Sequence, residues 1–252
     1  MKFSSVFASL AAVATASCAP PPKHIRTTNL YGVEVVDTDL VRDARAAISK
    51  FDGFLYKHSM RTWLFGAAAI NANATLKATV DRELHAVATI LHDLGWDMTP
   101  GSPYISPDHR FEIDGAVGAV KFVKEHRDAR NWDAYRLEKL HDGIALHASP
   151  GLEYGKNEDV KAILASISYD NPGSRPAAIP EKPYNSIIKA LPNSDIVAGT
   201  NETWTWLALT KPDATYNTVI EPFGTAYVPN YNATGHRIFD FIVQAIEAQK
   251  GQ

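Results

Sequence analysis

A single cysteine, Cys18, stands in the 252-residue chain, inside an N-terminal apolar stretch. That scarcity excludes a disulfide framework from the mature chain, along with thiolate zinc sites and a cysteine nucleophile. Stability must then come from packing and from any ion the chain binds. A basic stripe is missing too: the formal net charge is −3, so a nucleic-acid backbone has no evident landing surface. Long apolar runs are equally scarce. Residues 6–16 form a short one, below the ~20 residues that span a bilayer, and Pro20-Pro-Pro22 then closes it because proline cannot continue a helix. No internal repeat or low-complexity tract interrupts the rest.

What is present is an ordinary globular composition, 45% apolar and 21% charged, which makes one sizeable domain the expectation. Met1-Lys2, the apolar residues 6–16 and the small residues around Ala16-Ser-Cys-Ala19 have the form of a secretory signal peptide, placing the mature chain outside the cell. Residues 1–18 are therefore assigned to a signal, 19–38 to an N-terminal arm and 39–252 to a helical domain, with a core at about 39–172 and an extension over 173–252. Export would make the sequons at Asn73, Asn201 and Asn232 glycosylation acceptors. The expected partner is a small molecule, with neither nucleic acid nor membrane after signal removal; a homo-oligomer is left open.

Beyond the β-like run at 33–36, helical periodicity dominates. Helices are expected over about 39–51, 54–71, 75–94, 111–125, 132–147, 158–169, 184–191, 195–209 and 235–249, separated by Gly- and Pro-rich breaks. The small residues Gly66-Ala-Ala-Ala69 would let a neighbouring helix approach closely. The Pro-, Gly- and Ser-rich segment 97–109 reads as a functional loop, a candidate lid. The fold class is all-α, a helical bundle with a metal held between helices.

The chemistry concentrates at His92-Asp93. His92 follows Leu84, Val87, Ala88 and Leu91, whose spacing makes one buried helix face, and Leu94-Gly95 stops the helix. The second such pair, His141-Asp142, lies mid-helix and reads as a solvated polar face. With His58 upstream and Asp170 downstream, the chain offers two imidazoles and two carboxylates, a nitrogen and oxygen set suited to a zinc, iron or manganese ion with open coordination positions. Asp195 competes as the last carboxylate, but its setting in Asn-Ser-Asp-Ile suggests a helix cap. His85 reads as a core residue, and His126, in Lys124-Glu-His-Arg127, as surface.

Five segments in order, His58-Ser-Met-Arg-Thr-Trp, Ala88-Thr-Ile-Leu-His-Asp-Leu-Gly95, Arg110-Phe-Glu-Ile-Asp-Gly115, Ile144-Ala-Leu-His-Ala-Ser-Pro-Gly151 and Ile167-Ser-Tyr-Asp170, resemble the HD-domain metal-dependent hydrolases, and most closely their fungal cyanamide hydratase-like branch. The resemblance covers about 35–172. It implies His58, His92, Asp93 and Asp170 as ligands of one divalent ion, zinc first, and a metal-activated water that adds to an electrophilic carbon such as a nitrile. It also marks Glu112, Asp114 and His147 as candidates for catalysis. On the residues alone, Glu112 and Asp114 equally suit the start of a helix dipole, and His147 could donate a proton, bind a second metal or be a hydrogen-bonded core residue. Trp63, Trp96, Tyr104 and Phe111 are expected to wall a small apolar pocket, with Arg110 beside it.

Two rivals remain. Arg61 and Arg110 would suit an HD-type phosphohydrolase, since phosphate oxygens need cations, whereas loss of catalysis would leave a secreted small-molecule-binding protein. The chain also departs from the resemblance. It begins with an export signal, and its tail beyond Pro172 carries Trp204-Thr-Trp206 and Phe223-Gly-Thr-Ala-Tyr227.

Overall fold

Tyr31 and Gly32 both adopt positive φ, 49° and 83°, the backbone that folds a tight two-residue hairpin. They join the antiparallel strands β1 (Thr27–Leu30) and β2 (Val33–Val36), paired with Thr27 opposite Val36. The periodicity at 33–36 is thus a real strand, while its partner β1, polar and half-exposed, carries no comparable signal. The computed structural model describes residues 25–51 and 53–250. The expected signal peptide, its cleavage point and Cys18 lie outside the described residues. Among those residues no helix is long and apolar enough to cross a membrane.

Buried Val33, Val35 and Val36 seat the ribbon on the bundle. Thr38 then caps α1 (Asp39–Ile48) by accepting from Val41 N, and Leu40, Val41, Ala44 and Ile48 form its inner face. The central element is α2 (Gly53–Ala72), buried almost continuously from His58 to Ile70. Its helical periodicity is weak because other elements surround it. A Cβ on Gly66 would collide with Ser166 Oγ and His85 Nε2, so the small-residue stretch does admit close neighbours, and His85 is a core residue bonded to Ser166 Oγ at 2.9 Å.

The single helix expected over 75–94 is two, α3 (Ala74–Thr79) and α4 (Arg82–Leu91). The break has a cause distant in sequence: Asp81 caps α4 through Glu83 N and Leu84 N and is held in that turn by Arg136, at 2.7 and 2.9 Å. The layer around α2 and α4 continues with α5 (Phe111–Glu125), α6 (Ala134–Ala145), α7 (Glu158–Ser168) and α8 (Glu181–Ala190). Beyond it come α9 (Ile196–Thr210), α10 (Glu221–Tyr227) and α11 (Ile238–Lys250). α10 falls where a loop was expected, its pattern being short and containing Pro222 and Gly224. With 61% helix against 4% strand, the fold is all-α.

Asp195 occupies the residue before α9, yet its carboxylate caps no amide and instead pairs with Lys57, which corrects the expected capping role. His126 is also not free surface, since its ring sits 3.0 Å from Asp43. His141 does lie on a partly exposed polar face with Asp142, as its mid-helix setting implied.

Candidate metal centre

His58 projects from the second turn of α2, and His92 and Asp93 stand where α4 gives way to a short 3₁₀ turn, Leu94–Trp96. Their working atoms meet in one place. His58 Nε2 and His92 Nε2 are 3.2 Å apart, and Asp93 Oδ2 lies 3.2 Å from the first and 3.0 Å from the second. Each imidazole spends its other nitrogen elsewhere: His58 Nδ1 donates to Asp170 Oδ2 at 2.8 Å, and His92 Nδ1 to Thr89 O at 2.9 Å. The facing nitrogens therefore present lone pairs, next to a carboxylate whose oxygens are both buried and without a hydrogen bond. Lone pairs and an anion packed so closely repel unless a proton or a cation lies among them. The donor chemistry fits a divalent ion, and His58, His92 and Asp93 could hold one.

His147 completes the arrangement. Its Nδ1 donates to Ile144 O at 2.6 Å, leaving Nε2 directed at Asp93 Oδ1 from 3.5 Å, and its ring meets His92 edge-on. None of the three readings open for His147 included this place beside the cluster, where its Nε2 can reach Asp93 as a neighbour of the His58, His92 and Asp93 group.

Asp170 departs from the expected ligand role. Its Oδ1 accepts from Arg61 Nε at 2.8 Å, while Oδ2 accepts from Arg61 Nη2 and His58 Nδ1, both at 2.8 Å. Both oxygens are engaged on the far side of the His58 ring, so Asp170 is not among the gathered donor atoms. It orients His58 and fixes its tautomer, the task an outer carboxylate performs for a metal-binding histidine.

Burial works against a charged His58, but the carboxylates of Asp170 and Asp93 outweigh it and lift its pKa to about 9. His147 and His85 go the other way, lowered to about 4 chiefly by burial. Asp93 and Asp170 are held below the usual carboxylate range despite their burial, by His92, His58 and His147 around the first and by His58 and Arg61 around the second. In protein stripped of metal, a proton on His58 thus takes the cation's place. Because that pKa is raised, its stabilisation is complete below pH 6.5 and disappears as pH climbs through about 9. His85 and His147 contribute the opposite slope, stability falling as pH drops from 6.5 towards about 4. Thermal unfolding of chelated protein should therefore weaken on both sides of neutrality. A bound metal should rescue the alkaline side, widening the gap between loaded and stripped protein as pH rises from 6.5 to about 9; a gap independent of pH would contradict this assignment of the proton.

α5 presses on this turn from one side. A Cβ on Gly115 would collide with the carbonyl oxygen of His92 and one on Gly95 with that of Phe111, so the backbones touch where side chains are missing. Gly115→Ala should destabilise the chain by about 1–3 kcal/mol and weaken metal binding, because the displaced atom belongs to a donor residue. Calorimetry of the apo and loaded variant checks both, and a stability loss with unchanged metal affinity would place the strain elsewhere. Glu112, on the same helix, is buried beside Arg110, and burial pushes its carboxyl upward, ahead of the opposing pull of Arg110. Asp114 has a different task. It is buried against Lys211 and accepts from Ser106 N at 3.2 Å, and Lys211 also donates to His109 O at 2.8 Å. Asp114 and Lys211 thereby hold the end of the segment 97–109 at Ser106 and His109, and no residue of that segment, the expected lid, lines the cavity.

Above the cluster opens a cavity of about 830 Å³, with His58, His92, Asp93 and His147 in its lining. Trp96 and Phe111 border it as expected, and Trp96 lies parallel to the His58 ring at 5.5 Å. Trp63, Tyr104 and Arg110 are corrections, since none lines the cavity. Trp63 points into the main core, where Arg45 stacks over it; Tyr104 packs edge-on against Phe51; Arg110 is spent on Glu112. Much of the remaining lining comes from the C-terminal extension, with Ile196, Trp204, Val219, Phe223 and Tyr227, and Trp204 meets Trp96 edge-on at 6.2 Å. The extension's residues were not assigned to the site from sequence, although the aromatic density of Trp204-Thr-Trp206 and Phe223–Tyr227 was the available signal.

The sequons differ in setting. Asn73 Oδ1 caps α3 and Asn232 is exposed, but Asn201 lines the cavity and its Thr203 is buried, a poor position for a glycan. No protein-family model matches the chain, and no curated protein matches it as a relative.

Proposed function

We propose that the chain is a metal-dependent hydrolase or hydro-lyase of the HD type, similar to the cyanamide hydratase-like branch, that adds water to an electrophilic carbon of a small molecule. One observation carries this reading: two imidazole Nε2 atoms, whose opposite nitrogens are engaged elsewhere, converge within 3.2 Å of each other and of a buried carboxylate that lines a cavity. His58, His92, Asp93 and His147 would hold the ion, and a set dominated by nitrogen favours zinc over magnesium or calcium. When bound, such an ion supplies Lewis acidity that makes water nucleophilic near neutral pH.

The protein's own groups do the rest. Asp170 and Arg61, Thr89 O and Ile144 O hold the imidazoles in one tautomer and one orientation. Glu112, its pKa raised by burial, feels the charge of Asp93 but is paired with Arg110 and does not line the cavity, so its part is to position the cluster from behind. The aromatic wall excludes bulk water around the reacting centre. For the rival phosphohydrolase reading, a phosphate would want a free cation. Among the described residues no lysine or arginine lines the cavity, Arg61 being committed to Asp170 and Arg110 to Glu112.

Elemental analysis of purified protein, with assays of cyanamide, other nitriles and phosphate esters, tests the proposal. About one metal ion per chain and hydration of a carbon–nitrogen multiple bond are expected. Hydrolysis of a phosphate ester with nitriles untouched would shift the reading to the phosphohydrolase, and protein that retains no metal would leave a binding protein.

A further inference from the structure

The cavity is built on a scale that cyanamide, a molecule of a few atoms, does not fill. At about 830 Å³ it falls in the upper part of the range, about 300–1,000 Å³, of pockets that enclose drug-sized ligands. We infer that the substrate is an uncharged, predominantly apolar molecule of about two-ring size, presenting one polar group to the His58–His92–Asp93 cluster while the aromatic wall holds its body. This rests on the metal-dependent reading above and adds the substrate class.

The wall's composition argues for an apolar body. Trp96 and Phe111 lie beside the cluster, Trp204 meets Trp96 edge-on at 6.2 Å, and Phe223 packs edge to face on Trp204 at 4.8 Å, so the aromatic wall is continuous. Aromatic faces and edges of this kind favour flat apolar groups. Charge argues for neutrality. Among the described residues the titratable groups that line the cavity are His58, His92, Asp93, His147 and Tyr227, and the cations around it are committed: Lys57 to Asp195, Arg61 to Asp170, Arg110 to Glu112 and Lys211 to Asp114. Away from the ion, an anionic group set against the aromatic wall would have to leave water with no cationic side chain to receive it, which is costly in an apolar enclosure. Asn171, Thr200 and Asn201 offer neutral hydrogen-bonding groups for orientation. A substrate that fills the space also expels the water that would otherwise occupy it.

Isothermal titration of zinc-loaded full-length protein with 1-naphthonitrile, acetonitrile and 1-naphthyl phosphate tests the inference. 1-Naphthonitrile should bind about tenfold or more tightly than either of the others, a gap of about 1.4 kcal/mol. Ala198 and Val197 line the cavity from exposed positions on α9, so Ala198→Trp and Val197→Trp should fold, retain metal and weaken 1-naphthonitrile binding about tenfold. Stronger binding of the phosphate, equal binding of acetonitrile, or indifference to both tryptophan variants would overturn the inference. The two readings fail separately. Zinc retained and cyanamide hydrated without 1-naphthonitrile binding sinks the substrate class alone, whereas 1-naphthonitrile binding to protein that holds no metal sinks the enzymatic reading alone.

Discussion

Replacing Asp93 with Ala is expected to abolish metal retention and, with it, turnover, by a factor on the order of 10³ or more, equivalent to about 4 kcal/mol of transition-state stabilisation. The contacts of the Asp93 carboxylate are confined to the imidazoles of the cluster, so the loss should occur in a folded protein. In metal-free samples the unfolding transition should fall at neutral pH only by the lost pairing with protonated His58, and far-UV circular dichroism should match the parent. His92→Ala provides a second route to the same result, since the ring's structural bond is a single contact to Thr89 O within its own helix. Metal content measured beside activity checks both variants. Full activity without metal in either one would show that the ion is not needed.

The largest effect on stability should come from Arg61. It is fully buried, binds both oxygens of Asp170 and donates to Pro192 O at 2.9 Å. Arg61→Leu would leave Asp170 buried with only His58 as partner. Removing one member of such a pair typically costs about 3–5 kcal/mol because the remaining charge is uncompensated. Denaturant titration of chelated protein measures this, and a loss below about 1 kcal/mol, the scale of an exposed pair, would mean that the buried network does not hold α2 to the end of α7. Asp170→Asn separates outer partner from ligand. Metal affinity should fall about 10–100-fold, as for other groups behind a ligand, whereas loss of binding as complete as in Asp93→Ala would restore Asp170 to the inner set.

Much of this arrangement was legible in sequence because it depends on local periodicity. Leu84, Val87, Ala88 and Leu91 mark the buried face of α4 and so set where His92 emerges, and Gly66 with its alanine neighbours announced a close crossing. The misreadings turn on distance in sequence. Asp170 is 112 residues from His58, and whether a carboxylate faces an ion or the back of a histidine depends on a few ångströms at the end of α7, which spacing does not report. The turn at Asp81 is stabilised by Arg136 from another helix, so a continuous pattern over 75–94 hid the break. Composition also fails to distinguish Trp63 from Trp96: both are buried tryptophans, and only the packing of α2 and α5 decides which borders the cavity. The extension after Pro172 gave aromatic clusters but no hint that α9 and α10 return to line the same cavity.

X-ray absorption of the zinc-loaded chain, compared with His147→Ala, tests the central claim most directly. The account predicts about one ion per chain in a shell of imidazole nitrogens and one carboxylate, with zinc–nitrogen distances near 2.0–2.1 Å, and a shell poorer by one imidazole in the variant. A chain that binds no zinc, or a shell indifferent to the loss of His147, would contradict it.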